Sequence, residues 1–169
     1  MKQNLIINCR SLSETHSLAG CFASYLTPAL VVGLTGPLGA GKSAFARFVI
    51  QGACGADTDV PSPTFTLVQS YETAEGLPIM HMDLYRLEAP EDVFALGVED
   101  SFYEAANLVE WPSKMGDYWP SHAVMIAIDF AENEGRRFCV SASSELLESL
   151  CQKAIMAGLS PTLTVANNT

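Results

Sequence analysis

Gly36-Pro37-Leu38-Gly39-Ala40-Gly41-Lys42-Ser43 decides how this chain is read. The stretch fits G-x-x-x-x-G-K-[ST], a loop that wraps phosphate groups. Its setting fits too. The apolar run Leu30-Val31-Val32-Gly33-Leu34 leads in, and a helical pattern from Ala44 to Gln51 leads out. Glycines permit a tight turn that aims successive backbone N–H groups at phosphate oxygens. A helix starting at the loop adds the positive end of its dipole. Lys42 supplies a point charge for the β- and γ-phosphates, and Ser43 offers a hydroxyl to Mg²⁺. The expected nucleotide-binding segment therefore runs from Gly36 through Ser43 to Ala44.

The composition narrows the class. A chain of 169 residues, 49% apolar and 17% charged, is expected to be one soluble globular domain spanning 1–169. No apolar run approaches the roughly 20 residues of a membrane span, and the start Met1-Lys2-Gln3-Asn4-Leu5-Ile6-Ile7-Asn8 is too briefly apolar for a signal peptide. Cys9, Cys21, Cys54, Cys139 and Cys151 are scattered, with no C-x-x-C pair. They read as buried thiols of a reducing cytoplasm. The net charge of −10 leaves only nine basic residues, and Arg136-Arg137 is their one adjacent pair. Strong nucleic-acid binding needs clustered Lys and Arg, so any nucleic acid this chain serves is expected to be held by a partner.

Periodicity predicts an α/β domain with a mixed sheet. Strands are expected at Leu5 to Cys9, Leu30 to Leu34, Phe65 to Thr73, Leu77 to Leu84 and Asn107 to Glu110. A hairpin is expected from Ala123 to Phe130 and Arg136 to Ser143, around Asn133-Glu134-Gly135. Helices are expected from Leu12 to Leu26 behind a capping box at Ser11 and Glu14, and from Ser144, as cap, to Gly158. The stretch Leu87 to Tyr103 reads as helical in pieces, entered near Pro90 and left near Gly97. Residues from about 160 to 169 read as a frayed tail.

Phosphate chemistry also needs a carboxylate near the metal and a group facing the γ-phosphate. Asp129 ends the run Val124-Met125-Ile126-Ala127-Ile128 and matches best by pattern. Asp83 ends Ile79-Met80-His81-Met82, and Glu110 ends the short Leu108-Val109. In Ser62-Pro63-Thr64-Phe65 the prolines at 61 and 63 stiffen the backbone, so that Thr64 could reach Mg²⁺ or the terminal phosphate. A Pro-bracketed turn entering a strand would look the same. His81 reads as a hydrogen-bonded core residue, or as a ligand or acid–base group. Trp111 reads as a structural tryptophan or a stacking surface.

Four segments together resemble the TsaE family, also called YjeE. They are Gly36 to Ser43, Ser62-Pro63-Thr64-Phe65-Thr66-Leu67-Val68, His81-Met82-Asp83-Leu84-Tyr85-Arg86-Leu87 and Val109-Glu110-Trp111-Pro112. The resemblance covers about Leu5 to Val140. It implies a P-loop NTPase fold with a mostly parallel sheet flanked by helices and a peripheral antiparallel hairpin. It implies the ATPase component of the bacterial machinery that installs threonylcarbamoyl on a tRNA adenosine. ATP and Mg²⁺ are then the cofactors and TsaB and TsaD the partners, with tRNA met only through them and no membrane involved. The resemblance favours Asp83 and Glu110 as the working carboxylates over Asp129. On this reading Lys42 holds phosphate, Ser43 and Glu110 hold the metal, Thr64 senses the γ-phosphate, and Asp83 orients water or a metal-bound one. Two positions depart from the family: Pro37 stands where an acidic residue is frequent, and Ser43 where threonine is usual. Pro37 lacks an N–H and cannot donate to a ligand.

Three rivals remain at this level. A small-molecule kinase needs an arginine clamp, whereas this chain carries only Arg10, Arg47, Arg86, Arg136 and Arg137. Among these Arg86 lies nearest by position to act as a finger in cis. A GTPase needs an Asn-Lys-x-Asp segment, which the chain lacks. A non-hydrolysing module would use nucleotide only as a clamp.

Overall fold

The computed structural model describes residues 3–165. Eight strands form one sheet: β1 (Gln3–Cys9), β2 (Val31–Thr35), β3 (Val68–Glu72), β4 (Pro78–Asp83), β5 (Ala106–Glu110), β6 (Val124–Phe130), β7 (Arg136–Ser141) and β8 (Pro161–Val165). Their order is β3-β4-β5-β2-β6-β7-β1-β8. The centre, β4-β5-β2-β6, is parallel, and the pairs flanking it are antiparallel. This is the mixed α/β architecture expected. The β6–β7 hairpin reaches further into the sheet than its expected rim position, because β6 pairs in parallel with β2.

Helices α1 (Leu12–Ala23), α2 (Lys42–Cys54) and α4 (Ser144–Met156) cover one face. Alternation along the central strands explains the split core, because successive side chains point to opposite faces. Val32 and Leu34 of β2, with Ala106 and Leu108 of β5, pack with Phe45, Val49 and Ile50 of α2. Val31 and Val109 point the other way, to Met82, Val93 and Met115. That second face is covered by 3₁₀ segments at Pro90–Leu96 and Pro112–Tyr118 and by the short helix α3 (Ser101–Glu104). The pieces expected between Leu87 and Tyr103 are the first of these segments and α3, with Gly97 closing the former in a left-handed conformation.

Several local expectations are corrected. The strand expected from Phe65 begins at Val68: Leu67 has φ +66°, and its N–H donates to Pro63 O, closing a turn. The cap of α4 is Ser143, whose hydroxyl accepts from Leu146 N–H, one residue before the cap expected. The tail expected to fray from 160 instead forms β8, which pairs with β1 over Gln3 to Ile7; residues 166–169 of that expectation lie outside the described residues. All five cysteines are free thiols; Cys9 and Cys21 are buried as expected, whereas Cys54, Cys139 and Cys151 are only partly buried. Burial pushes Cys9 up to about 11, as expected of an unreactive core thiol.

The turn out of β2 is tightly constrained. Gly36 has φ +139°, and a Cβ there would lie 2.1 Å from the Ile128 carbonyl oxygen of β6. Gly36→Ala is expected to lower folding stability by about 2 kcal/mol or more, through backbone overlap and strain. Gly20→Ala, in the exposed interior of α1 with nothing within 4 Å of its added methyl, is expected to raise it by about 0.5–1 kcal/mol. Denaturant midpoints of the two variants check this; equal midpoints would contradict it.

Candidate nucleotide-binding site

Strand register builds this site. Asp83 on β4 pairs with Glu110 on β5, and Leu34 on β2 also pairs with Glu110. Ile79, His81 and Asp83 share one side of β4, as Ala106, Leu108 and Glu110 share one side of β5. Ile79, Ala106 and Leu108 lie in the core beneath α2. The carboxylates that follow in step therefore emerge where α2 begins. This is the carboxyl end of parallel strands, where open α/β sheets bind ligands.

Around that point the side chains converge on a cavity of about 390 Å³, lined by residues that include Gly41, Lys42, Ser43, Thr64, Asp83 and Glu110. Ser43 Oγ donates to Glu110 Oε2 at 2.8 Å. Thr64 Oγ1 donates to Asp83 Oδ2 at 3.2 Å and meets Ser62 Oγ at 2.8 Å. Asp83 Oδ1 accepts the Tyr85 N–H at 3.0 Å. Lys42 Nζ donates to the carbonyls of Gly36 (2.8 Å) and Pro37 (2.9 Å). The same ammonium stands 4.2 Å from the Trp111 ring centroid, a cation–π contact. Burial pushes the Lys42 pKa down, while Glu110 and Asp83 pull it back up.

The loop residues divide their work. Leu38, Gly39, Gly41, Lys42, Ser43 and Ala44 line the cavity. Gly36 and Pro37 contribute carbonyls to Lys42, so Pro37 takes part without an N–H. Ala40 turns its methyl into the core. Asp129 stays outside. It is exposed, two residues beyond Ala127, the last β6 residue paired with β2, and continues into the hairpin opposite Arg137. Arg86 is exposed, with its guanidinium over the Phe65 ring at 5.2 Å, and does not line the cavity.

His81 is buried, with Nε2 2.8 Å from Glu110 Oε1 and Nδ1 without a partner. A buried bare lone pair costs less than a buried orphan N–H. The hydrogen-bond pattern thus assigns the proton to Nε2, donated to Glu110. This is the hydrogen-bonded core residue of the first reading, and its bond orients a site carboxylate. Trp111 has φ +59° and its ring lies 5.0 Å from that of Tyr85. Backbone held in a sparsely populated region is a mark of functional sites.

Two features escaped sequence reasoning. One is a further cavity of about 490 Å³ that shares Gly39, Gly41 and Ala44 with the first and is otherwise lined by residues such as Ser11, Leu12, Thr15 and Asn133. Its elements are far apart in sequence, so no local motif could reveal it. The other is Arg136, which reaches the loop from β7. Its only signal was an adjacent basic pair.

The oxygen donors at Ser43, Thr64, Asp83 and Glu110 suit a hard cation. Among the described residues no three His, Cys, Asp or Glu side chains gather into a metal cage of their own. Mg²⁺ takes one or two carboxylates and completes its shell with water and phosphate oxygens, a share of ligands that Ser43 and Glu110 could supply.

The family model for "Threonylcarbamoyl adenosine biosynthesis protein TsaE" matches residues 9–138. The tRNA threonylcarbamoyladenosine biosynthesis protein TsaE of Rickettsia bellii is 36% identical over 129 residues, covering 76% of this chain and 88% of the relative. The protein of that name from Bacillus subtilis is 33% identical over 141 residues, covering 83% and 87%. The crystal structure of Bacillus subtilis YdiB superposes with a TM-score of 0.74 at 29% identity, covering 94% of this chain and 98% of that one.

The His81–Glu110 pair is expected to be energetically coupled. A double-mutant cycle with His81→Ala and Glu110→Ala, read by chemical denaturation, should give a coupling of about 1–3 kcal/mol, since each single change orphans a buried partner. Additive losses would contradict the pairing.

Proposed function

This chain belongs to the TsaE family of threonylcarbamoyl adenosine biosynthesis proteins, and from that membership we propose that it is a Mg²⁺-dependent ATPase acting on a TsaB–TsaD complex. The observation that carries the proposal is the convergence of Lys42, Ser43, Thr64, Asp83 and Glu110 on one cavity at the start of α2. Phosphoryl transfer asks the protein mainly for positioning and electrostatic stabilisation, and these residues are of the kinds required.

The N–H groups of the loop and the α2 N-terminus bind the phosphates, and Lys42 exchanges its bonds to Gly36 and Pro37 for bonds to phosphate oxygens. Ser43 and Glu110 hold Mg²⁺, with Glu110 kept in orientation by His81. Bound there, Mg²⁺ neutralises charge developing on the phosphate oxygens. Thr64 faces the γ-phosphate. Asp83, fixed by Thr64 and by the Tyr85 N–H, orients the attacking water. Adenosine extends past Gly41 into the second cavity, between the start of α1 and the hairpin turn.

Among the described residues no arginine lines the phosphate cavity, which favours an ATPase over a kinase that must clamp a second substrate. It also favours low turnover by the chain alone, completed by partner proteins. The net charge of −10 supports contact with tRNA only through those partners. Among the described residues no helix is long and apolar enough to cross a membrane; the cytoplasmic setting we propose rests on the family's role in tRNA modification.

The test is ATP binding and turnover with and without TsaB and TsaD. TsaB and TsaD together are expected to raise turnover. Lys42→Ala should abolish ATP binding. Asp83→Asn and Glu110→Ala should leave binding largely intact and cut turnover about 10²-fold or more. Wild-type turnover in both carboxylate variants would contradict the assignment.

A further inference from the structure

We propose that Arg136 is a positioning residue that holds the phosphate-binding loop in its anion-binding shape from the side opposite the phosphates. This rests on the nucleotide-binding reading above and adds a residue outside the motif segments.

Arg136 opens β7, some hundred residues from the loop in sequence, and its guanidinium spends its donors on backbone carbonyls. Nε donates to Ala40 O at 2.8 Å, and Nη2 to Gly39 O at 3.4 Å. Nη1 donates to Glu134 O at 2.7 Å and Gly135 O at 2.9 Å. The guanidinium lies 4.8 Å from the Phe130 ring centroid. One rigid fork thus ties the loop to the β6–β7 turn while an aromatic plate fixes its plane.

The consequence for the loop follows from peptide geometry. In a trans peptide the carbonyl and the next N–H point in opposite directions. Holding Ala40 O on Arg136 turns the Gly41 N–H away from that side chain; Gly41 lines the phosphate cavity, which Arg136 does not, as well as the second cavity, which Arg136 does. From within, Lys42 takes the carbonyls of Gly36 and Pro37. The carbonyls are therefore gathered by two cations on opposite sides, which leaves amide hydrogens facing the cavity. Gly39 and Gly41 have φ +79° and +105°, so glycine freedom must be restrained by something other than their own side chains. Arg136 supplies that restraint before ligand arrives, so binding loses less to ordering.

The experiment compares wild type, Arg136→Ala and Arg136→Lys. Hydrogen exchange on the protein alone reads the loop directly. The amides of residues 39–42 should exchange about tenfold faster in Arg136→Ala, while those of β5 stay as in wild type. Affinity for ATP and for inorganic tripolyphosphate should fall together, by about tenfold, the scale of a lost charge-assisted hydrogen bond. Arg136→Lys, which keeps the charge and loses the fork, should fall between. Wild-type exchange and affinity in Arg136→Ala would overturn the proposal. So would equal acceleration in β5, or a loss for ATP without one for tripolyphosphate, which would mean contact with the nucleoside instead. If Arg136→Ala does not fold, Arg136→Lys decides by the same readouts, and wild-type values there overturn it. Failure of wild type to bind ATP or tripolyphosphate would instead sink the nucleotide-binding reading, with the loop exchange still reporting the clamp.

Discussion

One ammonium and two carboxylates are buried together at the carboxyl end of the central strands. Lys42, Asp83 and Glu110 are each at most 5% exposed. Burying such groups costs several kcal/mol apiece unless they are paired and hydrogen-bonded. The neighbourhood is organised around that demand. His81 and Ser43 serve the two oxygens of Glu110, and Thr64 and the Tyr85 N–H serve those of Asp83. Two loop carbonyls and the Trp111 face serve Lys42. The partners come from β4, β5, α2 and the loop before β3, so the cluster can exist only if the sheet register and the turn out of β2 are both correct. The site thus reports on the fold as much as the fold supports the site.

The sheet meets this demand through a parity argument. Asp83 and Glu110 sit two residues beyond His81 and Leu108, and four beyond Ile79 and Ala106, in strands paired residue for residue. A slip of one residue would send either carboxylate to the opposite face, among Met82, Val109 and Met115. The apolar alternation that packs α2 against the sheet is the same alternation that brings the acids to its N-terminus.

Much of this was legible in the chain itself. The loop, its strand and its helix followed from Gly36 to Ser43 and the apolar run before them. The three candidate carboxylates were visible as strand ends. Choosing among them was not, because β5 and β6 both flank β2 and periodicity cannot say which strand ends reach the loop, and Asp129 carried the cleaner pattern; the family resemblance made that choice. The turn at Leu67 was hidden because the alternation of a strand continues through it, while a positive φ and a bond to Pro63 O end the strand. Strand β8 was hidden for another reason. Its residues are mostly exposed, so its stability comes from main-chain pairing with β1, a non-local interaction that leaves little mark on composition. The contacts of Arg136 with the loop were likewise invisible, since they join a side chain to carbonyls nearly a hundred residues away.

Membership of the TsaE family ties the chain to threonylcarbamoyladenosine biosynthesis, and the central physical claim is that its buried acids await a metal–triphosphate. Crystals grown with a non-hydrolysable ATP analogue and Mn²⁺, whose anomalous signal locates the metal, test this most directly. The account predicts phosphates within the turn from Gly36 to Ser43, Lys42 moved from the Gly36 and Pro37 carbonyls onto phosphate oxygens, and the Mn²⁺ peak beside Ser43 and Glu110. Phosphates bound elsewhere, or a metal peak away from both side chains, would contradict it.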